Sequence, residues 1–168
     1  MTAHGQNGAR RSERQSQQVW NRAKFQWKAR VVETGLPESL AAIKAEFLAL
    51  SLADRLQLLL EFSEQLPEVP PEKLASVEWE QVHECQSPVF IHVDSLENEV
   101  TVYAKAPREA PTTRGFASIL VQGLSGSSPG EVLEVPADFP LQLGLQDGVS
   151  LLRLRGMSGM LRRIKSHV

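Results

Sequence analysis

Val89-Phe90-Ile91-His92-Val93 and Val100-Thr101-Val102-Tyr103-Ala104 are the two stretches on which the reading of the fold depends. In each, every second residue is small and apolar, the period of a strand with one buried face. The polar stretch Asp94–Glu99 lies between them, so the pair reads as an antiparallel hairpin with a longish turn. Val89, Ile91 and Val93 share one face. His92 therefore falls on the opposite face, exposed or partly packed.

On both sides of the hairpin the period changes to that of a helix. Leu36, Leu40, Ile43, Phe47 and Leu50 follow four-three-four-three spacing and form one helical stripe. Ser51 then fits an N-cap with Asp54 three residues on, and Leu52, Leu56, Leu59, Leu60, Ser63 and Leu66 carry a second helix to Pro67. Prolines at 67, 70 and 71 read as a breaker. After the hairpin, Phe116, Ile119, Leu120, Gly123 and Leu124 return to helical spacing. Ser128-Pro129-Gly130-Glu131 has a capping box with proline at the first helical position. Met157, Met160, Leu161 and Ile164 stripe a last helix, where Arg162, Arg163 and Lys165 oppose the negative end of the dipole. Two helices, a hairpin and further helices make one α+β domain, a small antiparallel sheet packed with helices, over residues 36–168.

Composition narrows the function. The 168 residues are 42% hydrophobic and 23% charged, the make-up of an ordinary globular domain. There is one cysteine, which excludes an internal disulfide and any multi-cysteine metal site or cluster scaffold, and it fits a reducing, cytoplasmic setting. Apolar runs are as short as Leu58-Leu59-Leu60, so no membrane span is expected. Residues 1–35 carry seven bases and two acids, a balance of +5, while residues 36–168 balance to -7. A basic arm on an acidic body is one pattern of nucleic-acid binding. The polar, Gln-rich run from His4 to Gln18 favours a solvated, disordered tail instead, and no nucleic-acid partner is expected. The glycines between 123 and 130 lack the lysine and spacing of a phosphate loop and read as a turn.

Cys85 is the residue most suited to chemistry. It precedes the first strand in His83-Glu84-Cys85-Gln86-Ser87-Pro88, a loop held by a rigid element yet able to meet another protein. Sulfur exchange needs such access, because a thiolate must reach the outer sulfur of a donor. The plain alternative is a small buried hydrophobe. His83, two residues away in an extended segment, points to the other side and is a poor general base.

The loop resembles the active-site signature of the SufE family, Gly-Cys-x-Ser-x-Val-Trp, with Cys85, Ser87 and Val89 in register. Gln65-Leu66-Pro67-Glu68 is similar to that family's Leu-Pro-Glu helix end, and Arg114-Gly115-Phe116 to its Lys-Gly-Leu helix start. Arg153, Gly156-Met157 and Met160-Leu161 are similar to its last helix. The resemblance departs from the pattern at three places. Glu84 replaces the usual glycine, Phe90 replaces the tryptophan in what reads as a core position, and Pro107-Arg108-Glu109 replaces an acidic segment.

The resemblance implies a fold like that of the IscU scaffolds. It also implies a persulfide acceptor, Cys85, that activates a SufS-like cysteine desulfurase and relays sulfur to the SufBCD scaffold. No cofactor or metal of its own is implied, since PLP belongs to the partner. The protein would be an accessory rather than a stand-alone enzyme, with self-association as a homodimer left open. Arg153 and Arg114 are the candidates to hold a sulfur anion or the partner, and Glu84 and Ser87 the candidates to tune the loop. The alternative is an interaction module of the same fold that regulates a partner without transferring sulfur.

Overall fold

The computed structural model describes residues 35–168. The basic segment, with its Trp20, Phe25 and Trp27, lies outside the described residues.

Helix α1 (Glu38–Leu48) buries Leu40, Ile43 and Phe47 on the expected stripe, and Leu36 joins them just before it. Helix α2 (Leu52–Glu64) starts at Ser51, whose hydroxyl accepts the Asp54 N–H. Its buried face is Leu58, Leu59, Phe62 and Ser63, whereas Leu60 is 42% exposed. Three consecutive leucines sweep about 200° of a helix, so only two can face the core. Phe62 decides which two, because it stacks on Phe47 with centroids 5.9 Å apart.

The proline stretch is not only a breaker. Pro71 opens a short helix, α3 (Pro71–Ser76), at the first position, where its missing N–H has no intrahelical partner to lose. Strands β1 (Glu80–Gln81), β2 (Phe90–Leu96) and β3 (Glu99–Lys105) form an antiparallel sheet in that order. The hairpin turn is shorter than expected. Pairing runs through Asp94↔Thr101 and Ser95↔Val100 to Leu96↔Glu99, leaving only Glu97 and Asn98, both at positive φ (50° and 65°). Positive φ at both central positions gives the twist that joins two strands directly. Backbone pairing continues here past the end of the apolar alternation, so the residue pattern understates strand length.

Val89, Ile91, Val100, Val102 and Ala104 face the helices and are buried. The other face carries His92 between the rings of Trp79 and Tyr103 at 6.0 and 6.1 Å, so His92 is partly packed. Phe90 is also on this outer face, half-buried beneath the Lys105 ammonium at 5.2 Å. Its reading as a core residue is thus corrected: Val89, one position earlier, is the one that enters the core.

Helix α4 (Pro111–Leu124) runs through the centre of the described domain, with every residue from Gly115 to Val121 buried. Helix α5 (Pro129–Glu134) has the full Ser128–Glu131 capping box. A single 3-10 turn (Phe139–Leu143) leads to α6 (Leu151–Ser166), capped by the Ser150 hydroxyl on the Arg153 N–H. This last helix starts earlier than the methionine stripe suggests, because Leu154 extends the buried face by one turn. Arg153 therefore lies in its first turn. No described helix is long and apolar enough to cross a membrane.

Candidate functional site: a half-buried thiol on the last helix

The segment that carries Cys85 is a pinched loop. Val82 and Val89 at its base are both buried, and the Val82 N–H donates to the Val89 carbonyl at 2.9 Å. The Cys85 N–H turns back to the Val82 carbonyl at 3.2 Å. Two apolar anchors and two backbone bonds thus fix where residues 83–88 leave the sheet and where they return. His83 points to solvent.

The loop lies on α6 where that helix lacks side chains. A Cβ added at Gly156 would stand 3.1 Å from Cys85 Sγ, and one at Gly159 would stand 2.9 Å from the Glu84 carboxyl carbon. A side chain at either position would force the loop or the Glu84 side chain to shift, so the two glycines let helix and loop approach this closely. Cys85 also lines a cleft of about 190 Å³ between the loop, the start of α4 and the start of α6. Phe116 and Met160 give the cleft an apolar floor, Gln86 and Ser87 a polar wall, and Glu109 and Arg153 charges of opposite sign. Arg153 Nη1 donates to Thr112 Oγ1 at 3.3 Å, which ties the two helix starts together.

Burial is the first cause that pushes the Cys85 thiol up to about 11, the Glu84 carboxylate is the second, and the Arg163 guanidinium works against both. At that value roughly one molecule in ten thousand carries a thiolate at neutral pH. Glu84 itself is held below the ordinary carboxylate range. Burial opposes that shift, and its own backbone N–H and the nearby Arg163 and Arg162 charges outweigh burial. Glu84 Oε2 accepts from Arg163 Nη1 at 2.6 Å, and Oε1 lies 3.5 Å from Arg162 Nη1. Arg163 reaches a second acid, with Nε 3.2 Å from Glu80 Oε1 at an angle too poor for a hydrogen bond, and Glu80 also pairs with His167.

The structure therefore gathers Cys85, Ser87 and Arg153 around one cleft, with the Glu84 carboxylate outside it yet close enough to raise the thiol's proton affinity. Arg114 does not line that cleft. Its Nε and Nη1 donate to the Ser63 and Ala106 carbonyls at 2.8 and 2.7 Å, joining the end of α2 to the end of β3. The sequence marks Arg163 only as a charge at a helix end; its contacts are instead with the loop and β1. The available signal is spacing, since Gly156, Gly159 and Arg163 fall on one face of a helix. Among the described residues no group of three or more His, Cys, Asp or Glu could hold a metal ion.

The sequence profile described as "SufE: Fe-S metabolism associated domain" matches residues 41–168. An uncharacterised SufE-like protein of Mycobacterium tuberculosis is 51% identical over 131 residues, spanning 77% of this chain and 91% of that protein. The cysteine desulfuration protein SufE of Plasmodium vivax is 29% identical over 84 residues, 49% of this chain and 35% of that one. Among solved structures, a hypothetical protein from Thermus thermophilus superposes with a TM-score of 0.70 at 41% identity, covering 79% of this chain and 94% of that one. With the profile spanning the whole hairpin, both long helices that follow it and the Cys85 loop, this chain belongs to the SufE family of domains associated with Fe–S metabolism.

Proposed function

We propose that Cys85 is a persulfide acceptor that takes sulfur from a SufS-like, PLP-dependent cysteine desulfurase and hands it to a SufBCD-type scaffold. The observation that carries this reading is the only thiol of the chain lining a cleft, on a loop that projects from the sheet, in a SufE-family domain. The desulfurase partner is also in keeping with the name of the Plasmodium relatives.

The step needs few groups. Cys85 loses its proton, and the thiolate attacks the outer sulfur of the donor's cysteine persulfide. The donor S–S bond breaks, its cysteine leaves as a thiolate that takes up a proton, and Cys85 now bears the persulfide. No net oxidation occurs, since one disulfide-type bond replaces another. The apolar floor of Phe116 and Met160 shields the product from stray thiols, and Arg153 provides a cation at the rim for the persulfide anion. On this reading the PLP belongs to the desulfurase, and the chain acts as its accessory in the cytoplasm.

The test is mass spectrometry after incubation with a cysteine desulfurase and cysteine. A gain of one sulfur atom on the Cys85 peptide is expected, and Cys85→Ser should fold normally yet no longer stimulate desulfurase turnover. If Cys85→Ser stimulates as well as the wild type, the protein regulates its partner without accepting sulfur.

A further inference from the structure

Arg163 is half-buried, with a side-chain exposure of 16%, and its one guanidinium faces two acids that lie on either side of Val82 in the chain. Glu80 belongs to β1 and Glu84 precedes the thiol. The bond to Glu84 is short, charge-assisted and partly screened from water, the kind that fixes geometry rather than merely decorating a surface. The same guanidinium nitrogen also meets the Gly159 carbonyl at 3.4 Å, so the arginine is itself held against its own helix. The absence of side chains at Gly156 and Gly159 lets the loop press onto α6 between the pair and the cleft.

We infer that the Glu84–Arg163 pair is a latch that positions the Cys85 loop on α6 in the free protein, and that a sulfur donor reaches Sγ only once this pair has parted. Arg163 is thus a positioning residue for the sulfur step and touches no reacting atom. The purpose of the latch rests on the acceptor reading; its existence does not, because it can be measured without a donor. With the latch closed, the thiol is half-buried, set between the cleft and the backbone of α6 at Gly156. Docking that separates the pair frees residues 83–88 to move while Val82 and Val89 stay in the core. A partner acid offered to Arg163, or a partner cation offered to Glu84, has the chemistry to do this.

Charge alone gives a different expectation, which makes the inference testable. Glu84 raises the thiol's proton affinity and Arg163 lowers it. A purely electrostatic role therefore demands that removing Glu84 speeds alkylation and removing Arg163 slows it. A latch demands that both removals speed it. The experiment is the rate of iodoacetamide alkylation of the free wild-type chain and of Glu84→Gln, Arg163→Ala, Arg163→Lys and the Glu84→Gln/Arg163→Ala double variant. Fold is checked for each by circular dichroism. We expect each single variant to react at least about threefold faster, and the double variant to react no faster than the faster single. Arg163→Lys is the safeguard against a variant that fails to fold, since it keeps the positive charge but loses the fork that spans Glu80 and Glu84. Faster alkylation in Arg163→Lys supports the latch. Rates that move in opposite directions for Glu84→Gln and Arg163→Ala, or no change in Arg163→Lys, overturn it. Persulfide formation on Cys85 in a separate desulfurase assay reports on the acceptor reading, so the failure of either idea is distinguishable from failure of the other.

Discussion

Cys85 keeps its proton at neutral pH because burial and the Glu84 carboxylate both disfavour the thiolate, and Arg163 offsets them only in part. The shift has a consequence for stability. The folded chain holds this proton up to about 11, whereas the ordinary thiol value is 9.0. Folding therefore favours the protonated thiol, and the contribution is fully present below pH 9 and is lost as pH rises through 11. Because the thiol is only half-buried, the loss should be about 1–2 kcal/mol rather than the full value of the shift. Urea unfolding of the wild type and Cys85→Ser at about pH 8 and at about pH 11 checks it. The wild type should lose more stability than the variant over that range, and equal losses would show that the thiol titrates as an exposed group.

Helix α4 is packed so closely on α2 that a Cβ at Gly115 would stand 2.4 Å from the Leu59 carbonyl oxygen. That oxygen is backbone and cannot swing away, so the helices would have to part. Gly115→Ala should accordingly destabilise by about 2 kcal/mol or more, although alanine is the better helix former by about 1 kcal/mol. Gly130 in α5 meets nothing within 4 Å, so Gly130→Ala is the control and should be neutral or slightly stabilising. Chemical denaturation of the two variants separates packing from propensity, since propensity alone predicts a gain for both. The same geometry recurs in α6, where Gly156 and Gly159 receive the Cys85 loop while Met157, Met160, Leu161 and Ile164 face the core. One helix thus supplies the core with its bulky side and the site with its bare side.

Taken whole, the core is continuous from Leu36 to Ile164, drawing on every long helix and on both hairpin strands. The amphipathic stripe starts only at Leu36, and residues 35–168 assemble this core among themselves, so folding of this domain should not require residues 1–34. Removing them, with Leu36 retained, is expected to leave the melting temperature within about 3 °C of the full chain and sulfur acceptance unchanged. A truncated protein that precipitates, or that accepts no sulfur, would make the basic segment part of the docking machinery. The cleft itself is assembled from the β1–β2 loop, the start of α4 and the start of α6, three segments drawn together only when the helices pack on the sheet.

The amino-acid order settles the class of the fold, because two-residue and helical periodicities are local and survive in any packing of the same elements. It also determined the thiol, as a chain with one cysteine offers one candidate. Local chemistry disclosed the Ser51 and Ser128 caps for the same reason, each lying within three residues of its partner. Packing between distant segments set the remainder. Which of Leu58, Leu59 and Leu60 faces inward depended on Phe47, from another helix. The two-residue turn at Glu97-Asn98 followed from backbone pairing that continues past the apolar alternation. The sequence shows a carboxylate beside the thiol, but not its bond to Arg163, 79 residues further on. Charge pairing across that separation has no periodic trace, so the geometry that holds the thiol emerges only when α6 is laid against the loop.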